Sequence, residues 1–207
     1  MSTGSPFVVS PVLADLLPTR RLGVPERVRD AVAVVGFALL TALAAQVKFH
    51  LGFTPVPITG QTFAVLLAGG TLGLSRGAAS QALYWAMGLV GLPFFAGGES
   101  GWESGTGATM GYLAGFVVAS ALIGYMAERR ADRNFVTSLA AMTMGSVVIY
   151  AMGALWLAID LGIPVANGED NALALGVTPF LAGDALKILI ASAITPSAWL
   201  LVSRFRR

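Results

Sequence analysis

The sequence predicts an all-α polytopic membrane protein, a bundle of six transmembrane helices with both termini on the cytoplasmic side. Three observations carry that prediction. Hydrophobic residues fill 56% of the 207 positions and charged residues only 12%, with a mean hydropathy of +0.75, too apolar for an ordinary soluble domain. Apolar runs recur along the chain at close to the ~20 residues that a bilayer crossing takes. Finally, Lys and Arg bias loops toward the cytoplasm, and with both termini inside, all basic residues except Lys48 and Lys187 fall on that one side.

The elements follow in order. Residues 1–30 form a cytoplasmic N-terminal segment with Pro6, Pro11, Pro18 and Pro25 and a basic cluster of Arg20, Arg21, Arg27 and Arg29. It lacks the order of charged region, apolar core and cleavage site that marks a removable signal peptide. Its short apolar patch, Val12-Leu13-Ala14-Asp15-Leu16-Leu17, is expected along the membrane surface. The spans are placed at 31–49, 58–74, 77–95, 109–127, 135–160 and 180–202, making residues 31–203 one transmembrane domain. Inner connections carry Arg76 and the run of Glu128, Arg129, Arg130, Asp132 and Arg133; a basic tail, 204–207, closes the chain.

The outer connections hold the unusual chemistry. The first brings Thr54-Pro55-Val56-Pro57-Ile58-Thr59-Gly60-Gln61-Thr62. Its prolines fix φ and keep the chain extended before a helix begins. Thr59 is a helix cap or a ligand group; capping has no need of Gln61, whose amide both donates and accepts. The second is rich in glycine from Gly88 through Gly97, Gly98 and Gly111, either a lid over a ligand or a plain flexible loop. The third carries Glu169 and Asp170, which with Asp160 read as solvated charge. Tyr84 and Tyr112 are candidate pocket walls, or else core and interface aromatics.

One pair organises the rest. Asp184 and Lys187 stand at i, i+3 in the last apolar run, on one helix face. Ionisable groups at membrane depth cost roughly 2.5–3.5 kcal/mol each. They persist as a self-neutralising pair or as a solute site that needs an acceptor and a donor at fixed spacing. Other classes are excluded more firmly. No cysteine is present and His50 is the single histidine, so neither disulfides nor a Cys/His metal site is expected. No metalloprotease motif, Cys nucleophile or P-loop occurs, so neither catalysis nor ATP hydrolysis is expected on this chain, and an intramembrane enzyme using Asp184 and Lys187 is the weaker alternative. The small net charge of +2 is explained by loop topology rather than by nucleic acid. Small residues at i, i+4, among them Ala38/Ala42, Gly69/Gly73, Gly73/Gly77 and Gly111/Gly115, let helices approach closely.

Four segments, Val56–Phe63, Gly91–Gly98, Gly107–Phe116 and Pro179–Lys187, together resemble the BioY family, in order, over roughly residues 30–200. Ala108 departs from the proline usual in that family's G-P-T-x-G-Y-L segment. The resemblance implies an S-component-like bundle that binds biotin with high affinity for an energy-coupling-factor (ECF) transporter in the bacterial cytoplasmic membrane; an S component for another vitamin is the near alternative. It implies that Asp184 accepts from the ureido N–H groups and that Lys187 donates to the ureido carbonyl or balances the acid. Gln61 and Thr59 complete the polar set, while Tyr84, Tyr112 and the Gly97-Gly98 loop close over the ring. For the valerate carboxylate, Lys48 and the backbone amides of the glycine loop are equal candidates. The partners implied are membrane lipid, a transmembrane coupling subunit docking on Ala38 and Ala42, and two separate ATPase subunits that would use the ATP; no cofactor is expected on this chain.

Overall fold

The structure, a computed structural model, describes residues 11–16, 23–168 and 170–205. Pro6, Leu17, Pro18, Arg20, Arg21 and Glu169, named above, and residues 206 and 207 of the basic tail lie outside the described residues.

Helices stand at all six expected positions. They are α1 (Glu26–Ala45), α2 (Gln61–Leu72), α3 (Leu74–Leu89), α5 (Met110–Ala127), α6 (Phe135–Leu161) and α8 (Leu181–Phe205). Two short helices lie in the connections, α4 (Gly101–Thr106) and α7 (Ala172–Gly176). Residues 46–59 add a two-residue hairpin, with β1 (Lys48–Phe49) antiparallel to β2 (Ile58–Thr59) and Lys48 opposite Thr59.

Four segments are long and apolar enough to cross a membrane: Glu26–Ala45, Met110–Ala127, Phe135–Leu161 and Ala172–Arg204. The middle of the first half is different. α2 has only 12 residues, about 18 Å of helix, and a single residue, Gly73, separates it from α3. Gly73 has φ 84°, so the chain breaks where the sequence suggested continuous small-residue packing. A side chain there would also meet Glu128, whose carboxylate accepts from Leu74 N at 2.9 Å and holds the start of α3. The proline-rich stretch explains the late start of α2, and α3 ends at Leu89, short of the expected 95.

Polarity is distributed as in a membrane protein. Val32, Leu43, Val147 and Leu200 are all more than 60% exposed, whereas Thr41, Ser80, Gln81 and Thr195 are fully buried. Such an apolar exterior finds its stable contact in lipid. The buried polar groups tie helices together: Thr41 Oγ1 donates to Gln81 between α1 and α3, and Ser138 pairs with Thr195 between α6 and α8. Ala38 and Ala42 belong to this interior. Both are buried in the chain's own core, where they serve internal packing.

The end that carries most basic residues is sealed by charge. Arg76 reaches Asp15 at 2.8 Å and Asp30 at 2.9 Å, and Arg29 meets the same two acids. The turn Leu13–Leu16 is held there, with Val12 and Ala14 buried beside Leu72 and Ala127. The apolar patch thus packs through Val12 and Ala14 against the end of the bundle.

Candidate ligand-binding site

The opposite end holds a cavity of about 830 Å³ of empty space, part of it continuous with the outside. Helices α2, α5, α6 and α8 line it, together with the hairpin and the loop that follows α3, and the sequence explains how. Pro55 and Pro57 keep the hairpin's return limb extended, which lays Thr59, Gln61 and Thr62 along the wall. The glycine loop folds back so that Phe95, Ala96 and Glu99 face the cavity. α5 opens with Thr109 and Tyr112, α6 supplies Ile149 and Tyr150, and α8 supplies Asp184 and Lys187.

Asp184 lies in the first turn of α8, where the helix dipole favours a negative charge. It is 5% exposed. Its Oδ1 accepts from Lys187 Nζ at 2.5 Å and from Thr62 Oγ1 at 3.1 Å. Its Oδ2 accepts from the Tyr150 hydroxyl at 2.7 Å. Lys187 also donates to the Thr59 carbonyl at 2.7 Å and to Thr62 Oγ1 at 3.1 Å. A buried ion pair holds only when its remaining hydrogen-bonding capacity is met, and here Thr59 of β2, Thr62 of α2 and Tyr150 of α6 meet it. The Thr59 hydroxyl donates to Gln61 Oε1 at 2.7 Å, and the Gln61 amide donates to the Tyr84 hydroxyl at 2.6 Å.

Asp184, Lys187, Gln61, Thr59 and Tyr112 thus all line the one cavity. Tyr112 is held by its hydroxyl, which donates to Gly176 O at 2.7 Å, and its ring lies where a side chain on Gly153 would stand. Tyr84 takes a different place. It is fully buried behind Gln61, edge-on to Phe95, and does not line the cavity. Gly97 and Gly98 do not line it either; both have positive φ, 73° and 82°, and shape the loop that presents Ala96 and Glu99. A Cβ on Gly97 would stand 2.8 Å from Lys48 Cδ, so the lysine lies along the loop. Lys48 itself lines the mouth, donating to Glu99 at 2.9 Å and to Ala96 O at 3.2 Å.

Sequence reasoning missed Tyr150, Phe116, Ile149 and Phe180 as wall residues. For Tyr150 a signal existed: Ser146 and Gly153 at i−4 and i+3 mark the inward, small-residue face of α6. The three phenylalanine and isoleucine side chains carry no such mark. Among the described residues no group of three His, Asp or Glu side chains is placed to hold a metal ion.

A membrane-embedded helical bundle with a buried acid–base pair in the wall of a cavity defines a small-molecule-binding membrane protein. Comparison with known proteins makes this specific. The chain belongs to the BioY family, whose pattern matches residues 17–204. It is 33% identical over 174 residues to the biotin transporter BioY of Rhizobium etli, covering 80% of this chain and 90% of that protein. The probable biotin transporter BioY of Pyrococcus horikoshii is 36% identical, with 81% and 94% covered. The solved S-component for biotin from an ECF-type ABC transporter superposes with a TM-score of 0.73 at 25% identity, covering 83% of this chain and 91% of that one.

Proposed function

We propose that this protein binds biotin in the cavity headed by Asp184 and Lys187 and serves as the substrate-binding component of an ECF-type transporter. The observation that carries the reading is the placement of the pair. Asp184 and Lys187 sit in a cavity wall already furnished with Thr59, Gln61 and Thr62, within a chain whose relatives are named as biotin transporters. In this reading Asp184 accepts from the ureido ring, and Lys187 holds the acid and faces the ureido carbonyl. Phe95, Tyr112, Leu113 and Phe116 supply the apolar surface for the fused rings. Lys48, at the mouth, offers the positive charge that the valerate carboxylate requires. A site built to hydrogen-bond its ligand rejects analogues lacking the matching group by far larger factors than an apolar pocket does.

The same reading places the six helices across the bacterial cytoplasmic membrane with both termini inside and the cavity facing outward. Coupling to ATP then falls to a transmembrane subunit and two ATPase subunits. Equilibrium binding of labelled biotin to the purified protein in detergent, competed by other unlabelled vitamins, tests the ligand. Saturable binding displaced by biotin alone is expected; displacement by a different vitamin would reassign the substrate.

A further inference from the structure

The turn Leu13–Leu16 lies across the end of the bundle opposite the cavity, and its partners come from most of the molecule. Asp15 reaches Arg29 of α1 at 3.5 Å and Arg76 of α3 at 2.8 Å. The Pro11 carbonyl accepts at 2.9 Å from Arg133, in the connection between α5 and α6, and the Arg133 guanidinium lies over the Trp199 ring of α8. Between these two ties the turn packs against α2 and α8, with Val12 and Ala14 buried beside Leu72 and Ala127. Asp15 also accepts from Val12 N at 2.9 Å, which holds the segment in its own shape.

The attachment is broad but shallow. Within residues 11–16 only Val12 and Ala14 are buried, both small. The side chains of Asp15, Arg29 and Arg76 stay 29%, 11% and 17% exposed. Ion pairs open to solvent hold modestly and are weakened by salt. The pattern of the BioY family begins at residue 17, so the segment is added to the shared bundle rather than part of it. Its position also has a consequence for the bundle. Gln61 in the cavity wall and Leu72 under the segment are the two ends of α2. They stand about 18 Å apart along the helix, well short of the ~30 Å hydrocarbon core of a bilayer. The segment therefore closes the bundle where one short helix separates the cavity from the far side.

We propose that residues 11–16 form a releasable strap, latched by Asp15 against Arg29 and Arg76, which closes this end of the bundle and opens without disturbing the ligand cavity. Opening gives up few contacts, so it takes less free energy than global unfolding. It uncovers the apolar recess at Leu72 and Ala127 together with the arginines beside it, so the strap decides which surface this end presents. The proposal stands apart from the biotin reading, which supplies only a control ligand.

The chain has no cysteine, so a single introduced thiol reports its own exposure. The full-length protein in detergent is labelled with an uncharged maleimide at Ala127→Cys, beneath the strap, and in a second preparation at Ala14→Cys, on it. Ala191→Cys, fully buried in α8 and outside that cluster, is the reference. Adding Asp15→Asn is expected to speed labelling at both strap positions roughly tenfold and to leave Ala191→Cys unchanged. Without that variant, raising the salt from about 0.05 to 0.5 M is expected to speed labelling at Ala127→Cys several-fold, and far less once Asp15→Asn is present. Biotin affinity of Asp15→Asn is expected to equal that of wild type. An equal rise at Ala191→Cys means general loosening and overturns the proposal, as does labelling indifferent to both Asp15→Asn and salt. A weakened affinity for biotin overturns the independence of strap and cavity. Failure of wild type to bind biotin removes the ligand reading instead, and the labelling rates still decide the strap.

Discussion

At one end of the bundle Arg29 and Arg76 meet Asp15 and Asp30; at the other, Lys187 meets Asp184. Both clusters place cations against carboxylates at short range; the first ties together elements far apart in sequence, while Asp184 and Lys187 share α8 and reach Thr59 and Thr62 by hydrogen bonds. They differ in what lies beside them. The four-charge cluster closes on itself, and none of its members lines the cavity. Arg76 adds a bond to the Leu72 carbonyl, so its donors are spent on the fold. The Asp184–Lys187 pair is equally neutral, yet it stands in a cavity wall with an acceptor position still open. Charge pairing alone therefore does not mark a binding site. Unspent hydrogen-bonding capacity beside empty space does.

That contrast is broken most severely at Lys187. Lys187→Ala leaves a nearly buried carboxylate without its cation, a loss of about 3–5 kcal/mol of stability for such pairs, and biotin affinity is expected to fall at least about 100-fold. Thermal unfolding and binding isotherms on the same preparation check both. Gly153→Ala places a Cβ 2.2 Å from the Tyr112 ring. Overpacking of this kind costs about 1–3 kcal/mol, and displacement of the ring from the wall should weaken biotin roughly tenfold while leaving the ion pair untouched. Arg76→Met sharpens the comparison from the other side. It is expected to lower stability by roughly 1–2 kcal/mol with biotin affinity unchanged; a loss of affinity would show that the two ends are coupled.

Smaller effects are expected at the exposed edges. The Lys48–Glu99 pair is half open to solvent on the acid's side. Glu99→Gln should therefore change stability by less than about 1 kcal/mol, and raising the salt should erase the difference. Asp132, in the connection after α5, offers a pH signal. Burial pushes its carboxyl above the usual carboxylate range, opposed by the Trp199 N–H and by Arg133. The folded state thus holds this proton more tightly than the unfolded chain does. Its contribution to stability is present at low pH and is lost as pH rises through the folded-state value. Unfolding followed upward in pH from the ordinary carboxylate range should show stability falling, and Asp132→Asn should flatten that slope.

Much of the architecture was legible because hydropathy reports burial in lipid directly. Helices stand near all six expected apolar runs, four of them within segments long and apolar enough to cross a membrane, and Asp184 and Lys187 stand out by the rarity of charge within such runs. The site was legible where polar residues interrupted a pattern, as at Thr59, Gln61 and Lys187. It was not legible where function rests on orientation. Ala38 and Ala42 obey the small-residue spacing that serves internal and external packing alike, and only the fold shows that they are buried in the core. Tyr84 and Tyr150 are both single tyrosines in apolar helices. One is turned behind Gln61 and the other toward Asp184, a difference set by helix rotation that no composition records. α2 and α3 were misplaced by a few residues because Gly73, read as a packing glycine, is a chain break.

The central claim is that Asp184 and Lys187 read a ligand and do not merely neutralise each other. The most direct measurement is biotin binding by the doubly neutral variant Asp184→Asn/Lys187→Met, beside its thermal unfolding. Removing both charges together spares the bundle an unpaired ion, so the variant should unfold close to wild type. The account predicts a folded protein that no longer binds biotin. A folded double variant with wild-type affinity would contradict it and return the pair to a structural role.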